Sequence, residues 1–107
     1  MMEVKHLNND NYEEINSCEF ALVDFYASWC APCRALAPII EDVARELKDK
    51  CFVFKADVDE LEEQSATLHI MSIPTVILFK NGQEVLRING LRPKEYILEQ
   101  VNSVIGK

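Results

Sequence analysis

Two apolar runs, residues 20–27 ("FALVDFYA") and 51–58 ("CFVFKADV"), flank a segment in which Leu36, Ile39, Ile40, Val43, Ala44 and Leu47 recur at helical spacing. This arrangement constrains the fold more than anything else in the chain. A strand without polar alternation is one covered on both faces, as in a parallel sheet. Two such strands joined by a helix form a right-handed crossover, so they are expected side by side and parallel. Pro38 falls inside the helical stripe and is expected to kink it, because proline brings no N–H to the backbone ladder.

The other segments arrange themselves around this unit. Residues 4–7 suggest a short strand, followed by a first helix capped by Asn8 and ending near Ser17. The acidic stretch 59–70 suggests a short helix with a poor apolar face. "TVILFK", then Asn81 and Gly82, then "EVLRIN" form a hairpin signal, with Asn-Gly the strongest short turn. Pro93 suits the first position of a last helix whose buried face is Ile97, Val101, Val104 and Ile105. The order β-α-β-α-β-α-β-β-α is that of an α/β protein, a mixed sheet with helices on both sides. No repeat or linker divides the 107 residues, so a single domain spanning 1–107 is expected.

Net charge is −7 with no Lys/Arg cluster, which argues against nucleic acid or an anionic membrane as partner. "MMEVKHLNND" lacks the apolar centre of a secretion signal, and no run reaches the length of a membrane span. The expected compartment is therefore the cytoplasm, where structural disulfides are rare. Four cysteines in such a chain point to catalysis or metal rather than to a disulfide framework.

Cys30 and Cys33, in "WCAPC", fall at the end of an apolar strand and the first turn of a helix. Unpaired N–H groups and the positive end of the helix dipole converge there and favour an anion. Thiolate is the reactive form of cysteine, so the position lowers the pKa where nucleophilicity is useful. The i, i+3 spacing puts both sulfurs on one helical face, within reach of a small disulfide ring. Pro32 fixes the backbone between them. One thiol can attack a substrate disulfide while the other resolves the mixed disulfide. The competing reading is two packing cysteines spaced by chance. A zinc site would need a second knuckle, and His6 and His69 are isolated, so no metal is expected.

Asp24 interrupts a strand that should have no exposed face, and a buried carboxylate needs a partner or a raised pKa. Lys55 is the matching oddity on the neighbouring strand. Two readings fit equally. Asp24 takes the proton from Cys33, with Lys55 beside it, or it has no catalytic duty, either because the two form a buried ion pair or because the strand edge is partly exposed. Ile73 and Pro74 precede "TVILFK". A cis bond there would free a neighbouring backbone for a substrate peptide, although most such bonds are trans. Trp29, the single tryptophan, is either a docking surface or a lid on one end of the core. Cys18 and Cys51 read as inert buried thiols.

These residues lie in segments that resemble the thioredoxin family: "LVDFYASWCAPC", "APIIEDVA", "FKADVDE", "SIPTVILFKNG" and "NGL", in order along essentially the whole chain. C-x-x-C beside a βαβ pattern is a known signature of that family's redox motif. The resemblance implies a thioredoxin fold, a central five-stranded mixed sheet flanked by four helices. It implies that Cys30 is the attacking, partly exposed thiol and Cys33 the buried resolving one, with Asp24 assisting Cys33 and Lys55 beside it. Trp29, Ala31, Pro32, Ile73, Pro74, Gly90 and Leu91 become the rim where substrates dock. The implied activity is reduction of protein disulfides with no bound cofactor. Electrons would come from NADPH through a flavoprotein, thioredoxin reductase, with disulfide-containing proteins as substrates and a monomeric chain.

Three positions depart from the family's usual pattern. Ala31 stands where glycine is usual, giving a stiffer loop and a less certain redox poise. His69 stands at a helix end where relatives often carry glycine, and a positive φ there would be strained. Ser72 replaces a glycine before the Ile-Pro pair. Two other functions share these residues: a disulfide oxidant or isomerase on the same fold, and a binding subunit whose cysteines are incidental.

Overall fold

Strand β2 (Phe20–Tyr26) is apolar on both faces, and it lies in the middle of the sheet. It pairs in parallel with β3 (Phe52–Asp57) and antiparallel with β4 (Thr75–Lys80). β1 (Val4–Leu7) adds in parallel to the far side of β3, and β5 (Gln83–Asn89) antiparallel to β4. The result is one five-stranded mixed sheet of order β1-β3-β2-β4-β5. The computed structural model describes residues 4–106, so residues 1–3 and 107 of the expected domain lie outside the described part.

Alternation along the strands divides the core in two. Leu22, Val53, Val76, Leu78 and Ile88 face α1 (Ala31–Leu47) and α3 (Lys94–Ile105), meeting Leu36, Ile40, Val43, Ile97 and Val101. Ala21, Val23, Phe25, Phe54, Ile77 and Phe79 face the other way, toward Ile15 of a 3₁₀ helix (Tyr12–Ser17) and Leu61 beside α2 (Glu62–Thr67). Asp24 lies two residues from Leu22 and Lys55 two from Val53, so by strand alternation both fall on the α1 side. Sequence period alone therefore aims both at the helix that begins with the cysteines.

The expected elements are found, with corrections at their ends. Asn8 does not cap a helix: its Oδ1 accepts from the Asp10 and Asn11 amides at 2.8 and 3.0 Å, closing a turn. The helix follows later and is 3₁₀, with Asn11 as its N-cap residue. α1 runs unbroken across Pro38, which leaves the Arg34 carbonyl without its usual amide. α2 buries only Ser65, and its apolar contacts come from Leu61, Leu68 and Ile70 on either side. Pro93 is the N-cap of α3 at ψ 156°, one residue before the position expected. Val104, expected in the core, is 38% exposed. The hairpin turn has φ 51° at Asn81 and 83° at Gly82, the left-handed pair that an Asn-Gly turn supplies.

Candidate active site

The carboxyl ends of β2 and β3 meet the amino end of α1 at one edge of the sheet, with Val58 N–H donating to Tyr26 O at 2.9 Å. Ala27, Cys30 and Cys33 form a small buried cluster there, packed against Tyr26, Val58 and Ile73. Cys30 is the N-cap of α1, and its Sγ accepts from the Cys33 amide at 3.3 Å. The two cysteines are joined as a disulfide with Cα atoms 5.3 Å apart. Ala31 and Pro32 are the first helical residues, exposed, with nothing in the backbone that demands glycine. The expected contrast between an open Cys30 and a closed Cys33 is shallow, since the residues are 5% and 3% exposed.

Asp24 is buried, and its Oδ1 has no hydrogen-bond partner. It stands level with Lys55 of β3 and Val76 of β4. Burial pushes its pKa up to about 7, and the Lys55 charge opposes that rise only in part. Among the described residues no ion pair joins Asp24 to Lys55, so the closed-pair reading has no contact behind it. Instead Asp24, Tyr26, Cys33, Arg34, Ala37 and Lys55 line one cavity of about 270 Å³. A buried carboxyl that titrates near neutrality and a buried thiol thus open onto the same space.

The rim is built from three segments. Trp29 is 68% exposed and donates from Nε1 to Asp59 Oδ2 at 2.8 Å, which fixes the indole beside Cys30. The Ile73-Pro74 bond is cis, and the Ile73 carbonyl oxygen lies 3.9 Å from Cys30 Sγ. Gly90, at φ 86°, donates to Pro74 O at 2.8 Å and brings the exposed Leu91 alongside. Pro74 itself is buried, so among the expected docking residues it lies beneath the surface and Ile73 at it.

Three participants escaped the sequence. Met71 is 90% exposed two residues before Ile73, a conspicuous apolar side chain whose exposure no periodicity reveals. Asp59 is one of several acidic residues in the run 57–63, which hides it. Arg87 reaches from β5 to the carbonyls of Leu68 and His69 just after α2, a contact between distant segments. Cys18 and Cys51 lie away from the dithiol. Cys18 lines a separate surface pocket with Lys5, Glu14 and Phe52, and burial raises its pKa. Burial pushes the Cys51 thiol up to about 12. His6 pairs with Glu60 at 3.1 Å, and His69 does sit at a helix end with φ 57°. No cluster of ligands suited to a metal ion occurs among the described residues.

The family model described as Thioredoxin matches residues 3–103. The chain belongs to the thioredoxin family. A thioredoxin of Chlamydia pneumoniae is 41% identical over 99 residues, 92% of this chain and 96% of that one. One from Staphylococcus aureus is 46% identical over 78 residues, 73% of this chain and 75% of that one. Among solved structures, a mutant thioredoxin from Halobacterium salinarum NRC-1 superposes with a TM-score of 0.89 at 27% identity, covering 98% of this chain and 93% of that one. The five-stranded sheet with its helices is the thioredoxin fold, with one of the four helices 3₁₀. Membership of the family and the bonded Cys30–Cys33 pair make the protein a thiol–disulfide oxidoreductase, a protein disulfide reductase of thioredoxin type that needs no bound cofactor. No helix among the described residues is long and apolar enough to cross a membrane.

Proposed function

We propose that Cys30 is the attacking thiolate and Cys33 the resolving thiol in reduction of disulfide-containing proteins. The observation that carries the order is the Cys33 amide donating to Cys30 Sγ at 3.3 Å from the first turn of α1. An anion on Cys30 gains that N–H and the helix dipole, whereas Cys33 lies within the helix and faces the cavity. In the first step Cys30 S⁻ bonds to one substrate sulfur and the other leaves as thiolate. Cys33 then passes its proton to the Asp24 carboxylate through the shared cavity. Its sulfur bonds to Cys30, the mixed disulfide breaks, and the product departs with two electrons more than it brought.

Lys55 keeps the Asp24 pKa from rising further, so that the carboxylate is available near neutrality. Substrates dock on Trp29, Ala31, Pro32, Ile73, Gly90 and Leu91 over the buried Pro74, with the main chain at Ile73 beside the exchanging sulfurs. Re-reduction by a flavoprotein thioredoxin reductase that draws on NADPH closes the cycle. We read the chain as a single-domain cytoplasmic protein; its net charge of −7 favours a monomer and argues against binding nucleic acid or anionic membranes.

The deciding experiment is Cys33→Ser. It should accumulate a stable mixed disulfide through Cys30 when the reduced protein meets a protein disulfide, whereas Cys30→Ser should accumulate none. Trapping through Cys33 in the second variant would reverse the order. The direction of transfer, with Ala31 in the motif, is read from the reduction potential. About −270 mV is the established value for thioredoxin, and about −120 mV would mark an oxidant.

A further inference from the structure

We infer that Arg87 is a positioning residue for disulfide exchange, acting through segment 68–74, the stretch that carries Ile73 to Cys30. The inference rests on the reading of that segment as the docking rim. α2 ends at Thr67 with Leu68 as its C-cap, and the chain turns through His69 at φ 57°, where a non-glycine residue is strained. Arg87, two elements on in β5, spans this turn. Its Nη2 donates to Leu68 O at 2.8 Å and its Nη1 to His69 O at 3.3 Å. The guanidinium is itself held in place, because Nε and Nη2 both donate to the Glu84 carboxylate at 2.7 Å.

The far end of the same segment is also tied to β5 and the residue that follows it. Thr75 Oγ1 donates to Ser72 O at 2.7 Å and contacts Asn89 Oδ1 at 3.2 Å, and Gly90 N–H donates to Pro74 O at 2.8 Å. Between these anchors Met71 and Ser72 are exposed, and Ile73 presents its carbonyl to Cys30. Edge strand β5 therefore sets both ends of the rim, and Arg87 sets the end where the backbone resists. Only a guanidinium can donate in two directions at once from a fixed plane, so lysine at this position keeps the charge and loses the arrangement.

The test uses the reduced full-length protein, its oxidation followed by the fluorescence of the single tryptophan, Trp29. Insulin serves as protein disulfide and hydroxyethyl disulfide as a small one that needs no rim. Arg87→Met and Arg87→Lys should each slow insulin about fivefold, the size of one strained residue released, and leave the small disulfide unchanged. Adding His69→Gly to either should restore the insulin rate, because glycine takes the positive φ freely. A lower fraction folded would slow both substrates alike, so equal losses, or no loss with insulin, overturn the inference. Ile73→Arg is the control on the docking reading. If it leaves insulin unaffected, that reading fails. If it slows insulin while both Arg87 variants do not, the positioning inference alone fails.

Discussion

Asp24 shows what a single side chain can do when period places it on the wrong face. Its carboxyl is ordinary in the unfolded chain, at 3.8, and titrates near about 7 in the fold, so the folded state holds the proton more tightly. The stabilisation from that proton is complete at low pH and lost as pH rises through the folded value. Asp24→Asn stays neutral throughout. It should match wild type near pH ~4 and exceed it by roughly 4 kcal/mol above pH ~7, as urea titrations at both ends of that range would record. A constant difference would mean that Asp24 is not the group charging. The same substitution removes the proton acceptor proposed for Cys33, so the rise of the rate with pH near neutrality should disappear. Stability and rate moving in opposite directions would separate a proton carrier from a packing residue. The free thiols offer a second contrast. With the Cys51 thiol buried and pushed up to about 12, and Cys18 only partly buried at a surface pocket, iodoacetamide should label Cys18 well before Cys51, with mass spectrometry as the readout.

At the scale of elements, what could be read in advance was what repeats. The runs of β2 and β3 and the stripe of α1 declare themselves because many residues carry the same message. The Cys30–Cys33 spacing does so because strand, turn and helix start coincide there. Single-residue signals were less faithful. Asn8 has the side chain of a helix cap, but its oxygen serves equally well to close the turn before the 3₁₀ helix. Val104 follows the spacing of the buried face of α3, yet it is exposed while Val101 and Ile105 on either side of it pack against the core. Met71 and Arg87 were illegible for another reason: exposure and reach belong to the assembled fold and leave no trace in neighbouring letters. The hairpin between β4 and β5 yields a clean test. Gly82 has φ 83°, and an added Cβ would stand 2.4 Å from Asn16 Oδ1. Gly82→Ala should cost about 1–2 kcal/mol, seen as a lower denaturation midpoint at unchanged m-value.

For the molecule as a whole, the site lies at the acidic end of an acidic protein. Asp57 ends β3 and Asp59 and Glu60 follow it, with Asp59 bonded to Trp29, and the net charge is −7. Small disulfides of opposite charge should therefore respond oppositely to salt. Cystamine should react more slowly as ionic strength rises, and dithiobis(nitrobenzoate) faster, since the Debye length shrinks to about 10 Å at ~0.1 M. Stopped-flow rates over a salt series would show it, and parallel slopes would place the field elsewhere. The sheet order has a consequence of a different kind. Its open borders are β1, only four residues long and bearing the Lys5–Glu14 ion pair, and β5, which carries the Glu84–Arg87 pair and a register break opposite Leu78 and Phe79. Neither border offers a flat, uncharged template on which another chain could add a strand. On the proposed docking reading, a protein that presses apolar rim residues against disulfide-bearing partners is thereby kept from knitting itself into fibrils with them.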